Sequence, residues 1–191
     1  KQGGYRRESG RKAPHNLYAD ASKIYTLTPK GASRPPQQFV YRSESDAMPT
    51  SASASAGVRL SMDGVQVSWM WDTASLSYMR WSGKDKHLDA DKTQVASKNV
   101  VVLYMVYKAS NADVRSPEAQ SVGEGDAWIY TNGSVVKGKW ARALATDVFT
   151  LTDSAGAPVK LTPGNTWIEL PRLNKGADIP SGSDPAKIKF P

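Results

Sequence analysis

Hydrophobic and polar positions alternate along residues 65–72, which have the sequence VQVSWMWD. Valine and tryptophan occupy the odd positions, and Gln66, Ser68, Met70 and Asp72 stand between them. A period of two is typical of a β-strand with one buried face. The segment therefore predicts a strand whose heavy apolar face packs into a core.

Turn signals connect further strand-like segments into hairpins. Asp63-Gly64 separates residues 58–62 from 65–71, Thr131-Asn132-Gly133-Ser134 separates 127–130 from 135–140, and Asp153-Ser154-Ala155-Gly156 separates 149–152 from 158–161. Asp-Gly and Asn-Gly are favoured in tight hairpin turns. Residues 76–81, 100–107 and 167–170 predict three more strands. Because residues 100–107 are apolar on both faces, we expect them to form a central strand covered from both sides.

The spacing of these strands predicts the fold class. Strands recur at intervals of about 8–12 residues with turn signals between them, as in sandwiches and barrels. We therefore predict a mainly β protein, either an antiparallel β-sandwich or a partly open barrel built from hairpins. One short N-terminal helix is expected over residues 17–25, with Asn16 as its N-cap.

Composition divides the chain into four parts. Residues 1–42 form a basic arm with the short helix, which we interpret as the remnant of a preceding domain, and residues 43–57 form a flexible Ser/Ala-rich linker. Residues 58–173 form the β domain, and residues 174–191 form an irregular tail. The first residues contain no apolar segment, so they are no signal peptide, and we expect the chain to be the C-terminal part of a longer protein.

The net charge of +7 is concentrated near the N-terminus. Residues 1–56 contain 9 Lys or Arg and 4 Asp or Glu, whereas residues 57–191 contain 16 and 14. Such an arm suits nucleic acid, anionic lipid or an anionic wall polymer, although a solvated surface arm is the simpler interpretation. The chain has no cysteine, which excludes disulfides, a thiolate nucleophile and Cys-ligated metal. No run of about 18 apolar residues suggests a membrane span.

Short motifs follow one another along residues 11–170. In chain order they are RKAPHNLYAD (residues 11–20), Trp71-Asp72, Tyr78-Met79-Arg80, Gly83 with His87-Leu88-Asp89, Asn99-Val100-Val101-Val102, Gly123-Glu124-Gly125-Asp126-Ala127, Asn132-Gly133 with Gly138-Lys139-Trp140, and Pro163-Gly164-Asn165-Thr166-Trp167-Ile168-Glu169. Each is unspecific alone, but the ordered set resembles the YerB-like family of bacterial lipoproteins, a family of domains of unknown function.

The resemblance implies a two-domain extracytoplasmic protein, tethered to the membrane through a lipidated N-terminal cysteine. Neither that cysteine nor most of the N-terminal domain is part of this sequence. We therefore expect a location at the cell envelope, anchored to the cell membrane through a lipid that this chain does not carry. The resemblance implies no particular reaction.

Residues 84–91 contain alternating acidic and basic side chains. Asp85, His87, Asp89 and Asp91 share one face if the segment is extended, and this set suits Ca²⁺, Mg²⁺ or a transition metal. The segment lacks the glycine and the terminal acid of a calcium loop of the EF-hand type, and its lysines lower the local negative charge. We favour a hydrogen-bonded or solvated turn, and we assign no metal and no cofactor.

A second set of side chains, around the strand at residues 76–81, forms the strongest candidate site. Tyr78 and Arg80 point to the same face, and His87 and Asp89 meet them if the next segment folds back. A buried Arg80–Asp89 pair that joins two strands is the interpretation we favour. The alternatives are a ligand site in which Arg80 binds a carboxylate or phosphate, and catalysis by His87 oriented by Asp89. As candidate ligand-binding residues we select Tyr78, Arg80, His87, Asp89, Asn99 and Trp140.

Other catalytic chemistry has little support. There is no Gly-x-Ser-x-Gly motif, and His15 and His87 are the two available imidazoles, of which His15 suits a structural role. Carboxylates at Glu124, Asp126 and Glu169 are not paired by spacing for glycoside hydrolysis. Most of the six tryptophans should lie in the core, and one or two on an open sheet face are able to stack on sugar rings or bases.

These observations predict a non-catalytic binding or scaffolding module at the cell envelope. We expect its partner to be a cell-wall polymer or another envelope protein, with no nucleic acid and with membrane contact only through the lipid anchor. One alternative is a hydrolase or transferase that acts on cell-wall material with a His87–Asp89 pair. The other is nucleic-acid binding through the basic N-terminal arm. The sequence makes no prediction of oligomeric state.

Overall fold

Strands are the main regular structure in the computed structural model, which describes residues 3–191. The prediction of a mainly β protein is confirmed. The chain divides into two units, one up to Pro36 and the other from Gln37 to Pro191. The boundary thus precedes the Ser/Ala-rich stretch in which we expected it.

The first unit contains a short hairpin and the predicted helix. Strands β1 (Tyr5–Arg7) and β2 (Leu17–Ala19) pair antiparallel, and helix α1 spans Ala21–Tyr25. The expected cap at Asn16 was wrong: the Asp20 carboxylate accepts hydrogen bonds from the backbone N–H groups of Ser22 and Lys23. Residues 17–19 are extended because they pair with β1, so the helix begins four residues later than expected.

The second unit consists of thirteen strands. They are β3 (Ser53–Met62), β4 (Val65–Asp72), β5 (Ser77–Ser82), β6 (Asp85–Lys86), β7 (Ala96–Ser97), β8 (Asn99–Leu103), β9 (Tyr107–Ala109), β10 (Pro117–Ala119), β11 (Gly123–Thr131), β12 (Ser134–Arg142), β13 (Thr150–Asp153), β14 (Thr166–Glu169) and β15 (Gly176–Pro180). A 3₁₀ turn at Pro185–Lys187 follows them. The predicted hairpins at residues 63–64 and 131–134 join β3 to β4 and β11 to β12.

Eleven of these strands form one curled sheet, so the second unit is a partly open barrel. The strand order is β14-β8-β11-β12-β3-β4-β5-β6, with β13 beside β12, β15 beside β3 and β7 beside β5. Hairpins make most pairs antiparallel, as predicted, but β14 runs parallel to β8. This order places β14 at one end of the sheet and β5 and β6 at the other.

The Ser/Ala-rich stretch and the tail both contribute strands, which differs from our expectation of a linker and an irregular extension. Strand β3 begins at Ser53, and β12 pairs only with its first two residues. The rest of that edge of β3 pairs with β15, from the tail. The Ser55 hydroxyl donates to the Asp178 carboxylate at 2.8 Å and so joins the two segments.

Two hydrophobic clusters lie on opposite sides of β8. Val100 and Val102 belong to an inner cluster with Trp69, and Val101 and Leu103 belong to an outer cluster. All five residues of β8 are buried. This confirms that the strand is covered from both sides, but it ends at Leu103 and lies next to the terminal strand β14, not at the centre of the sheet.

Three buried tyrosines of the inner cluster give the protein an expected alkaline limit. Burial is the main cause that raises the pKa of Tyr78, Tyr104 and Tyr130 well above the ordinary value. A raised pKa in the folded state means that only the unfolded chain ionises near pH 10. The free energy of unfolding should therefore be unaffected by these groups below about pH 10 and should fall as the pH rises beyond it.

Urea unfolding followed by tryptophan fluorescence between pH 8 and 11.5 measures this loss. Tyr78→Phe should reduce the slope above about pH 10. Tyr25→Phe, at a side chain that is 80% exposed, is the control and should follow the wild type. Ionisation of all tyrosines without loss of structure would contradict the prediction.

Candidate functional site

The candidate site lies where the two ends of the curled sheet meet. Arg80 belongs to β5 and Glu169 belongs to β14, which are far apart in the strand order. Their side chains meet because the sheet curls, and this contact joins the two ends of the sheet. We call the group Arg80, His87, Glu169, Trp69 and Trp167 the seam.

A buried ion pair forms the centre of the seam. Arg80 Nε donates to Glu169 Oε1 at 3.2 Å, and the two side chains are 13% and 6% exposed. The indole N–H of Trp69 donates to the same oxygen at 2.9 Å. A buried charge is tolerated only when it is paired and hydrogen-bonded, and Glu169 meets both conditions.

Two indole rings enclose the guanidinium group. Arg80 Cζ lies 5.7 Å from the ring centroid of Trp69 and 5.2 Å from that of Trp167. The two indole centroids are 5.3 Å apart, with the rings tilted at 56°. Both distances from Arg80 fall within cation–π range, so the aromatic rings stabilise the arginine charge while excluding water.

His87 completes the seam as a hydrogen-bond acceptor. Arg80 Nη1 lies 2.7 Å from His87 Nδ1. Since arginine has only donors, Nδ1 must accept, so the ring is neutral and carries its proton on Nε2. The half-buried ring of His87 packs edge to face against Trp167, with ring centroids 6.4 Å apart. Backbone hydrogen bonds of His87 with Arg80 and Val95 hold the segment in place.

The structure brings together two of the six predicted site residues, Arg80 and His87. Tyr78 shares a face with Arg80, as predicted, but it is fully buried. Its ring packs against that of Trp71, with centroids 4.8 Å apart. Its hydroxyl donates to the Ser134 carbonyl at 3.2 Å. Tyr78 therefore supports the core beneath the seam and presents no atom to a ligand.

Asp89 lies outside the seam, and the expected Arg80–Asp89 pair was wrong. Its exposed carboxylate accepts a hydrogen bond from the backbone N–H of Ala90 at 2.6 Å. The backbone N–H of Asp89 donates to the Thr93 carbonyl, which closes a local turn. Glu169 takes the place that we had assigned to Asp89.

Asn99 and Trp140 are buried elsewhere. The Asn99 amide accepts from the Thr131 hydroxyl at 2.8 Å and donates to the Thr162 carbonyl at 2.8 Å. The Trp140 indole donates to the Tyr104 carbonyl at 3.1 Å and belongs to the outer cluster. Both residues connect strands, and neither reaches His87 or Arg80 in the hydrogen bonds described.

The alternating acidic residues near His87 do not converge on a metal site. The Asp91 carboxylate accepts from the backbone N–H of Thr93 at 2.8 Å, and this bond is the main cause that lowers the pKa of Asp91. Within residues 3–191, no group of three or more His, Asp or Glu side chains is arranged to hold a metal ion. Asp89 and Asp91 belong to a hydrogen-bonded turn, as we favoured, whereas Asp85 belongs to β6.

Sequence reasoning missed three members of the seam, Trp69, Trp167 and Glu169. Trp167 and Glu169 lie on the same face of β14, where Trp167 is half-buried and Glu169 is buried. The available signal was a carboxylate inside an otherwise apolar strand, because such a group needs a partner when it is buried. Nothing in the local spacing indicated that the partner lay 89 residues earlier.

The β domain is also recognisable in the sequence. Residues 57–168 match the family model described as a protein of unknown function (DUF3048), C-terminal domain, and the chain belongs to this family. No curated protein matches the chain. Within residues 3–191, no helix combines the length and the apolar character needed to cross a membrane.

A particular structure has a similar fold, the crystal structure of the YerB protein from Bacillus subtilis. The TM-score is 0.70 at 17% sequence identity. The similarity covers 91% of this chain and 59% of that chain. The fold and the family match together confirm the resemblance to YerB-like domains of unknown function.

Proposed function

We propose that this chain is a non-catalytic binding module of an extracytoplasmic, membrane-anchored bacterial protein, with a cell-wall polymer as its partner. The observation that carries the proposal is the pairing at the seam. Glu169 neutralises Arg80, and His87 Nδ1 already accepts a hydrogen bond from Arg80. Because these contacts already engage the charge of Arg80 and the Nδ1 atom of His87, the seam is better suited to binding than to catalysis.

The catalytic alternative has less support from the same geometry. An acid–base histidine of the type we considered needs a carboxylate that orients it, and Asp89 is engaged in its own turn. Glu169 contacts Arg80 and Trp69 in the hydrogen bonds described, not His87. His87 is therefore assigned a role in binding.

The seam offers a ligand a donor beside an aromatic surface. The deduced tautomer of His87 leaves its Nε2–H as a donor, and the half-buried indole of Trp167 lies against the ring. A donor next to an apolar ring suits a hydroxylated polymer. The envelope location rests on the likeness of the sequence motifs to a lipoprotein family.

Co-sedimentation with isolated bacterial cell walls tests the proposal. The wild-type protein should pellet with the walls, and His87→Ala should weaken retention about fivefold, as expected for one lost hydrogen bond. His15→Ala is the matched control, since it removes the other histidine and should leave retention unchanged. Far-UV circular dichroism verifies that each variant is folded. A wild-type protein that stays in the supernatant would refute the proposal.

The wild type and His87→Ala also distinguish the binding module from an enzyme and from a nucleic-acid-binding protein. An enzyme would release soluble wall fragments, and His87→Ala would abolish that release while retention persists. Nucleic-acid binding through the N-terminal arm would appear as DNA affinity that falls steeply with salt and survives His87→Ala. Either result would replace the proposed function.

A further inference from the structure

A second feature of the β domain is a hollow of about 390 Å³ between β11 and the beginning of β15. Its walls are formed by Tyr104, Asp126, Trp128, Leu173, Asn174 and Gly176. No residue of the seam contributes to this lining. The volume lies in the range of small-ligand sites, and the walls combine aromatic rings with a carboxylate and an amide.

The aromatic wall is held in a fixed orientation. The rings of Tyr104 and Trp128 meet edge to face, with centroids 5.2 Å apart and an interplanar angle of 75°. Lys137 Nζ lies 4.5 Å from the Trp128 ring centroid. A ring fixed in this way loses little freedom when a ligand packs against it, so the surface is preorganised for binding.

The Tyr104 hydroxyl is an unpaired polar group. Tyr104 is 5% exposed, and its buried hydroxyl has no hydrogen-bond partner in the part of the chain that the structure describes. Gly176 makes room for it, because a Cβ at that position would lie 1.9 Å from the hydroxyl oxygen. The hydroxyl oxygen is shielded from solvent, so the ring of Tyr104, and not its hydroxyl, forms the wall that a ligand meets.

The charges around the hollow are balanced. Lys139 Nζ lies 2.6 Å from the Asp126 carboxylate, and Lys137 Nζ lies 3.9 Å from the Asp178 carboxylate. Each acid thus has its own base, and neither sign of charge dominates. This balance disfavours a polyphosphate chain or a cation and favours a neutral ligand with hydroxyl groups.

We propose that this hollow binds a neutral pyranose ring of a wall glycan. A pyranose ring has apolar C–H faces that pack on Trp128 and hydroxyls at its rim that pair with Asp126 and Asn174. The inference extends the proposed function, on which its biological setting rests. It adds a sugar subsite separate from the seam.

Calorimetric titration with chitotetraose, a neutral oligomer of N-acetylglucosamine, tests the inference. The wild-type protein should bind with a 1:1 stoichiometry, and Trp128→Ala should weaken binding at least about tenfold, as for other aromatic stacking platforms. Asp126→Ala should weaken it about fivefold through the loss of a hydrogen bond. Because that carboxylate is 62% exposed, the second variant tests the site without disturbing the core.

Trp81→Ala is the matched control. Trp81 is another half-buried tryptophan with a lysine over its ring, Lys86 Nζ at 5.9 Å, but it does not line the hollow. Its removal should change the affinity by less than about twofold. No binding by the wild type, or equal losses for Trp81→Ala and Trp128→Ala, would overturn the inference.

Cell-wall sedimentation separates this inference from the proposed function. Walls that retain the wild type and Asp126→Ala equally, together with no chitotetraose binding, would reject the sugar subsite and leave the binding module intact. Chitotetraose binding that requires Trp128, without wall retention, would support the subsite and reject the proposed partner.

Discussion

Replacing Glu169 with alanine should lower the free energy of unfolding by about 3–5 kcal/mol. The change leaves Arg80 as a buried charge, since its side chain is 13% exposed and loses its acid partner. It also removes the acceptor of the Trp69 indole N–H. Because Arg80 and Glu169 join opposite ends of the sheet, their separation also frees the end strands. Urea unfolding followed by tryptophan fluorescence measures the loss.

Two controls identify burial as the cause. Asp126→Ala breaks a shorter ion pair, 2.6 Å from Lys139, but both side chains are more than 60% exposed, so the loss should be at most about 1 kcal/mol. The double variant Arg80→Met/Glu169→Leu removes both charges and should recover most of the stability lost in Glu169→Ala. Equal losses for Asp126→Ala and Glu169→Ala would contradict the argument.

Local sequence patterns predicted the strands and turns that local physics decides. The Asp63-Gly64 and Asn132-Gly133 turns were recognisable because hairpin turns need residues that accept positive φ. Asp63 and Gly64 have φ values of 45° and 94°, and Asn132 and Gly133 have 49° and 69°. The two-residue period of β4 likewise predicted its buried face, on which Trp69 is fully buried.

Long-range pairings decided what the sequence did not predict. Strand β15 lies in a tail rich in Gly, Pro and Ser, and it becomes a strand because β12 leaves most of one edge of β3 unpaired. The same reason explains the exchange of Asp89 for Glu169 as the partner of Arg80. Asp89 was near in sequence, but its own turn satisfies it, whereas the curl of the sheet delivers Glu169.

The second large loss of stability is expected for a substitution in the Ser/Ala-rich stretch. Gly57→Ala should lower the free energy of unfolding by about 3–6 kcal/mol, from backbone strain together with a steric clash. Gly57 has a φ of +137°, and a Cβ there would lie 1.9 Å from the Trp69 carbonyl oxygen. The obstacle is backbone, so no side chain is able to move aside. Strand β3 would have to separate from β4, which carries Trp69 into the seam.

Gly64→Ala separates the two contributions to this effect. Gly64 has a φ of +94°, but a Cβ at that position would have no atom within 4 Å, so only the conformational cost of about 1–2 kcal/mol should appear. All six tryptophans lie in residues 37–191, so fluorescence in urea reports the unit that contains both glycines. A loss for Gly57→Ala no larger than that for Gly64→Ala would mean that β3 and β4 can separate locally at little cost. In that case, the close contact between β3 and β4 at Gly57 would not fix the position of Trp69 beside Glu169. The composition of this stretch had suggested a linker.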